Sequence, residues 1–306
     1  MIDVIKFQDK ADQIFSASSS LETIASGYHF TEGPVWDSVE KCLYFTNFQD
    51  NTIYKWSEEE GCVLFRRESG RAVGLSLFSD GRVVSAETKS HAVTIAGPEK
   101  SQILAGSYEG KILNSPNDVV VSSTGWLYFT DPYSVAMNDI RELDFNGVYA
   151  VSPEKEIFLL DDRMERPNGI AFSPDETILY VNDTNRQLIQ AYQMRDKKEA
   201  SLTGVFARLD VSYGPGAADG MKVDVEGNVY VTGPAGIWVV DKNGDPVAIL
   251  KSPEFVGNFC FGGENNQTLF ITASTSVYRV PVGIPGIIPV RRQNNRKGSI
   301  YRRAVI

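Results

Sequence analysis

Six residues, Glu32, Val73, Asn117, Asn168, Asp219 and Asn258, each open a short apolar segment, and five of the six carry a carboxylate or carboxamide oxygen. Oxygen-only donors of this kind suit a hard divalent cation, and the carboxylates of Glu32 and Asp219 would offset a 2+ charge. Calcium is the first expectation, with magnesium, manganese and zinc open. Asn and Asp before a strand also satisfy local backbone groups in Asx-type turns, which is the competing reading at any one position. Glu32 is a poor Asx-turn residue, so the set as a whole favours a metal.

A second group closes the strand after each of these segments: Asn47, Glu87, Asp131, Asp183, Gly233 and Ala273. If the two strands are antiparallel, these residues return to the same end as the first group. Their four polar members are expected either to line a substrate pocket, to hold a second ion, or to be acids on surface loops.

The elements that must bring these residues together are visible as a repeat. One pattern, strand, turn, then a strand of the form apolar-aromatic-apolar-Thr, recurs as EGPVWDSVEKCLYFTN, VGLSLFSDGRVVSAE, NDVVVSSTGWLYFTD, NGIAFSPDETILYVND, DGMKVDVEGNVYVTG and NFCFGGENNQTLFITA. The second strands begin at Leu43, Val83, Leu127, Leu179, Val229 and Leu269, spacings of 40, 44, 52, 50 and 40 residues. That is the period of a propeller blade, and the turns between the strands suit short antiparallel connections. We therefore expect an all-β, six-bladed β-propeller with a central divalent-metal site. A β-sandwich has no need to repeat one register six times. Residues 1–20 read as a lead-in and 21–285 as the propeller, with the run from Leu21 to Ala25 supplying the outer strand of the last blade. Residues 286–306 read as a basic tail, rich in arginine and free of acid.

Composition narrows the partners. The 306 residues are 42% hydrophobic and 23% charged, which permits a large core. The net charge of -9 opposes nucleic acid and acidic membrane surfaces. No apolar leader or membrane-length apolar run is present, so a cytoplasmic protein is expected by default. Cys42, Cys62 and Cys260 lack metal-site spacing and are expected to be buried thiols. Only His29 and His91 occur, without a Gly-x-Ser-x-Gly elbow or a phosphate loop, which disfavours serine or cysteine triads and nucleotide chemistry. The tail could lie across an acidic face of its own molecule or of a second copy, supporting a homodimer.

The segments TEGPVWD, NSPNDVVV, YFTDPY, FNGVYAV, RPNGIAFSPDETILYVNDT, DGMKVDVEGNVYVTGPAGIWVVD and LFITASTSVYRV together resemble the gluconolactonase, regucalcin (senescence-marker protein) and luciferin-regenerating-enzyme family, in particular its bacterial gluconolactonase branch. The resemblance spans roughly residues 20–285. It implies a channel cation held by the Glu of EGP, the Asn of PNG and the Asp of DG, here Glu32, Asn168 and Asp219. Asn117, in the ND motif, is implied as a further ligand or substrate contact. Two departures bear on the substrate. Val73 stands where many bacterial relatives have Asn, and Ser115 where regucalcin-like members have Arg, which argues against that sugar-lactone contact here.

The expected activity is metal-dependent opening of a lactone or related cyclic ester. The cation would polarise the carbonyl while a carboxylate deprotonates water. Asp219 is the expected base, with Asn117 beside it; Asp131 and Glu87 are alternatives because a cation weakens the basicity of its own ligand. Asn258, Glu87, Asp131, Asp183, Val73 and Ser115 are the expected substrate contacts. Hydrolysis of an aryl ester or phosphotriester at the same site, or calcium binding without catalysis, are the rival readings.

Overall fold

The computed structural model describes residues 2–16, 18–98, 100–134 and 140–288. Its second strands, such as Cys42–Asn47, Leu127–Asp131 and Val229–Gly233, are buried at every residue, because each is covered on both faces by neighbouring sheets. That double covering explains their unbroken apolar and aromatic character. The strands assemble into six four-stranded antiparallel blades with innermost strands Thr31–Asp37, Ala72–Leu77, Val119–Val121, Pro167–Phe172, Met221–Val223 and Val256–Gly262. The six-bladed propeller expected from the repeat is present.

The ring closes through the N-terminal segment. Glu22–Ser26 pairs with Ser276–Pro281 and so becomes the outer strand of blade 6. A further strand, Val4–Lys6, pairs with Pro246–Lys251 and gives blade 5 a fifth strand. The repeat held no signal for this addition. Cys42 and Cys260 are buried as expected, but Cys62 is exposed: it lies on the outer strand Gly61–Arg67, whose outward face has no neighbouring blade. Of the tail, Gly286 bridges to Asp224 and the Ile287 amide donates to the Val223 carbonyl (3.1 Å). Residues 289–306, with the arginines on which a dimer was expected, lie outside the described residues. Among the described residues, no helix is long and apolar enough to cross a membrane.

Around the channel, adjacent blades are tied at the site positions. Thr46 Oγ1 donates to the Val73 carbonyl (3.2 Å), and Gly74 N to the Asn117 carbonyl (2.8 Å). Thr130 Oγ1 donates to the Asn168 carbonyl (2.7 Å), and Asn182 Nδ2 to the Asp219 carbonyl (2.5 Å). Gly220 N donates to the Gly257 carbonyl (2.9 Å), and Thr31 N to the Ser274 carbonyl (2.7 Å), which completes the circle. Gly33 allows the closest approach, with φ +45° and a position where a Cβ would lie 1.8 Å from the Val73 oxygen.

Candidate metal centre in the central channel

The inner strands lose regular pairing where the site residues sit. Register shifts fall between Glu32 and Val35, Ala72 and Leu75, Pro167 and Ile170, and Val256 and Asn258. In blades 3 and 5, pairing begins at Val119 and Met221, just after Asn117 and Asp219. Irregularities of this kind turn a side chain out of the regular pleat.

Glu32, Asn168 and Asp219 are brought together. Asn168 hydrogen-bonds Asp219 through their side chains, and the charge of Glu32 is felt by Asp219. Burial, and then the neighbouring charges of Glu32 and Asp118, hold the Asp219 carboxyl well above the usual range. Burial likewise raises Glu32, opposed by the Gly33 amide (2.8 Å) and reinforced by Asp118. Charges of one sign gathered in low dielectric call for a cation. A second observation agrees: Asn117 Oδ1 and Asn168 Oδ1 are buried with no hydrogen-bond donor. Such orphaned oxygens are costly unless something coordinates them. Two carboxylates and two carboxamide oxygens fit a hard divalent ion. Among the described residues, no three His, Cys, Asp or Glu side chains form a metal-binding group by themselves, so the carboxamides are needed to complete the set.

Asn258 is buried below this group. Its Oδ1 accepts from Phe259 N (2.9 Å) and Lys222 Nζ (3.2 Å), and its carboxamide hydrogen-bonds Glu32. Val73 is buried at the ring and contributes its carbonyl to the blade 1 junction. The strand-end residues are not surface-loop acids. Asp131 Oδ2 and Oδ1 accept from the amides of Asn114 (2.8 Å) and Ser115 (2.7 Å), so Asp131 and Ser115 are partners. Asp183 accepts from the amides of Glu165, Arg166, Asn185 and Arg186. Asn47 accepts from His29 and Phe30 amides. Each thus secures the loop that leads into its own blade's inner strand. Glu87 instead pairs with buried Arg66 (2.7 Å) and accepts from Ser85 and Thr94 hydroxyls.

Two charged residues of the centre were not picked out from sequence. Asp118 is buried, with Oδ1 accepting from Val119 N (2.9 Å). Lys222 Nζ lies 4.0 Å from Asp118 Oδ2 and donates to the Met221 carbonyl (3.0 Å). The available signal was a charged residue inside or directly before an otherwise apolar innermost strand, the Lys of Met-Lys-Val and the Asp of Asn-Asp-Val-Val.

A six-bladed propeller with an acid-and-carboxamide ring in its channel defines the class of this protein. The family follows from comparison with known proteins. Residues 30–275 match the family described as SMP-30/Gluconolactonase/LRE-like region, and the chain belongs to that family. The gluconolactonase of Zymomonas mobilis is 33% identical over 90% of this chain and 85% of its own length. The solved structure of a Xanthomonas campestris gluconolactonase superposes with a TM-score of 0.83 at 26% identity, covering 91% of this chain and 94% of that one. A calcium-binding regucalcin from Agrobacterium tumefaciens shares the fold, with a TM-score of 0.75 at 17% identity over 90% of this chain and 98% of that one.

Proposed function

We propose that this protein is a metal-dependent hydrolase that opens a lactone or related cyclic ester, with calcium as its cation. The observation that carries the reading is the pair of donor-less carboxamide oxygens, on Asn117 and Asn168, in the same channel as Glu32 and Asp219. The kinship with gluconolactonases supports the substrate class, and the calcium-binding regucalcin supports the metal.

Glu32, Asn117, Asn168 and Asp219 would hold the ion. When bound, it supplies Lewis-acid polarisation of the ester carbonyl and stabilises developing oxyanion charge. Asp219 is the base: its carboxylate takes a proton from water as the water oxygen bonds to the carbonyl carbon. The ring C–O bond then breaks, and the proton passes to the departing alkoxide to give a hydroxy acid. Asp131 and Glu87 are buried, Asp131 with both oxygens and Glu87 with Oε1 engaged by protein donors, which supports Asp219 over either as base.

The test is turnover of γ- and δ-lactones, aryl esters and a phosphotriester with and without chelator, for wild type and Asp219→Asn. Chelator-sensitive lactone turnover is expected, reduced at least about a hundredfold in the variant while calorimetry still shows calcium bound. Near-normal turnover in the variant refutes the base assignment. Calcium-dependent melting without turnover of any substrate refutes the enzyme reading.

A further inference from the structure

The charges at the foot of the ring do not balance. Glu32, Asp118 and Asp219 are buried near enough for the charge of Asp118 to act on Glu32 and Asp219 and that of Glu32 on Asp219, while Lys222 acts on Asp118 and Glu32. Among the described residues, Lys222 is the one cation beside them; Arg166 also acts on Asp219 but is exposed to solvent at the rim, where its field is screened. Three carboxylates against one ammonium leave two negative charges, and a divalent ion brings the ionised centre to neutrality.

The position of Lys222 is closely specified. Its Nζ donates to the Met221 carbonyl at 3.0 Å and to Asn258 Oδ1 at 3.2 Å, lies 4.0 Å from Asp118 Oδ2, and sits 6.0 Å from the centre of the Phe259 ring. It also lines an apolar cavity of about 120 Å³ formed by residues of all six inner strands. Among the described residues, Lys222 is the only charged one in that lining. The ammonium is therefore held between the acidic ring and a hydrocarbon lining. By fixing Asn258 Oδ1, it also directs the Asn258 carboxamide toward Glu32. Gly220 lets this happen, since a Cβ there would lie 2.2 Å from Asn258 Oδ1.

We infer that Lys222 is a fixed internal cation that sets the charge of the metal centre, making it selective for divalent over trivalent ions, and that it positions Glu32 through Asn258. This rests on the metal-dependent reading given above. Removing one positive charge strengthens binding of any cation in proportion to that cation's charge, so a trivalent ion gains more than a divalent one. A unit charge acting across the width of such a channel at an effective dielectric of ~20 shifts the ratio at least about tenfold.

The experiment titrates wild-type, Lys222→Met and Lys222→Arg proteins, each stripped of metal, with Ca²⁺ and with Tb³⁺, using calorimetry and terbium luminescence. Expected is a rise of at least about tenfold in terbium affinity relative to calcium in Lys222→Met, with the wild-type ratio restored in Lys222→Arg. An unchanged ratio in Lys222→Met, or the same change in Lys222→Arg, overturns the inference while leaving the metal reading intact. Wild-type protein that binds neither ion overturns both. If stripped Lys222→Met does not fold, the comparison becomes which ion restores cooperative melting. Terbium restoring it at no lower concentration than calcium then overturns the inference.

Discussion

Replacing Glu32 by Gln should stabilise the metal-free protein, and by an amount that depends on pH. Burial and the facing Asp118 raise the Glu32 carboxyl from 4.5 to about 7. Below pH 4.5 it is protonated in both folded and unfolded states and contributes nothing. Between 4.5 and 7 the unfolded chain releases the proton while the folded chain keeps it, so stability falls as pH rises. The loss is complete above 7. At about 1.4 kcal/mol per unit, it amounts to on the order of 3 kcal/mol. Gln keeps the volume but weakens the bond accepted from Gly33 N, which offsets about 1 kcal/mol. A net gain of about 2 kcal/mol remains at pH 8. With an unfolding entropy of about 2.1 cal/mol/K per residue, that is a Tm rise of roughly 3 °C. Scanning calorimetry in chelator at pH 4 and pH 8 should show no stabilisation at the first and the full rise at the second. Calcium should then raise the Tm of wild type, by about 2.7 kcal/mol equivalent at a hundred times Kd, and leave the variant nearly unmoved. A variant less stable than wild type in chelator at pH 8, or one that gains as much from calcium, would show that Glu32 is not held ionised against its surroundings for a cation.

Further outcomes test the frame around the site. Arg66→Met strands the Glu87 carboxylate in the interior and should cost about 3–5 kcal/mol in denaturant melts, whereas Arg66→Met with Glu87→Gln should recover most of it. Thr130→Val removes the link to the Asn168 carbonyl; a loss of about 1–2 kcal/mol is expected, together with weaker calcium binding by calorimetry. Gly33→Ala puts a methyl group against the Val73 carbonyl and should lower the melting midpoint by at least about 2 kcal/mol equivalent; an unchanged midpoint would mean that the blades do not meet as described.

The ring of Glu32, Asn168 and Asp219 was legible because a repeat places equivalent positions on a circle, and a polar residue before an apolar strand is conspicuous in each turn of it. What one chain's pattern could not reveal was how side-chain capacity is spent. Asp131 and Asp183 stand at the end of the blade where they were expected, yet their oxygens are taken by amides of the loops preceding Asn117 and Pro167. Those partners lie about 17 residues away in sequence and carry no side-chain signal. Lys222 and Asp118 were hidden for the opposite reason. In an alternating strand a lone charged residue reads as solvent-facing, and only closure of the ring turns that face inward to the channel. The extra strand Val4–Lys6 was equally unreadable, since three residues paired to an outer edge have no periodicity of their own.

The pairing of Glu22 with Arg279, 257 positions apart, has a consequence for biosynthesis. The strand that latches the ring leaves the ribosome before any of the blades it will close, while its partner follows 257 residues later. At about 5–20 residues per second, it waits roughly ten to fifty seconds with its hydrogen-bonding edge unpaired. During that interval five blades can form in order, but the nascent polypeptide remains an open arc, and a chaperone that shields Glu22–Ser26 would act at the point where misassociation between neighbouring chains is most exposed.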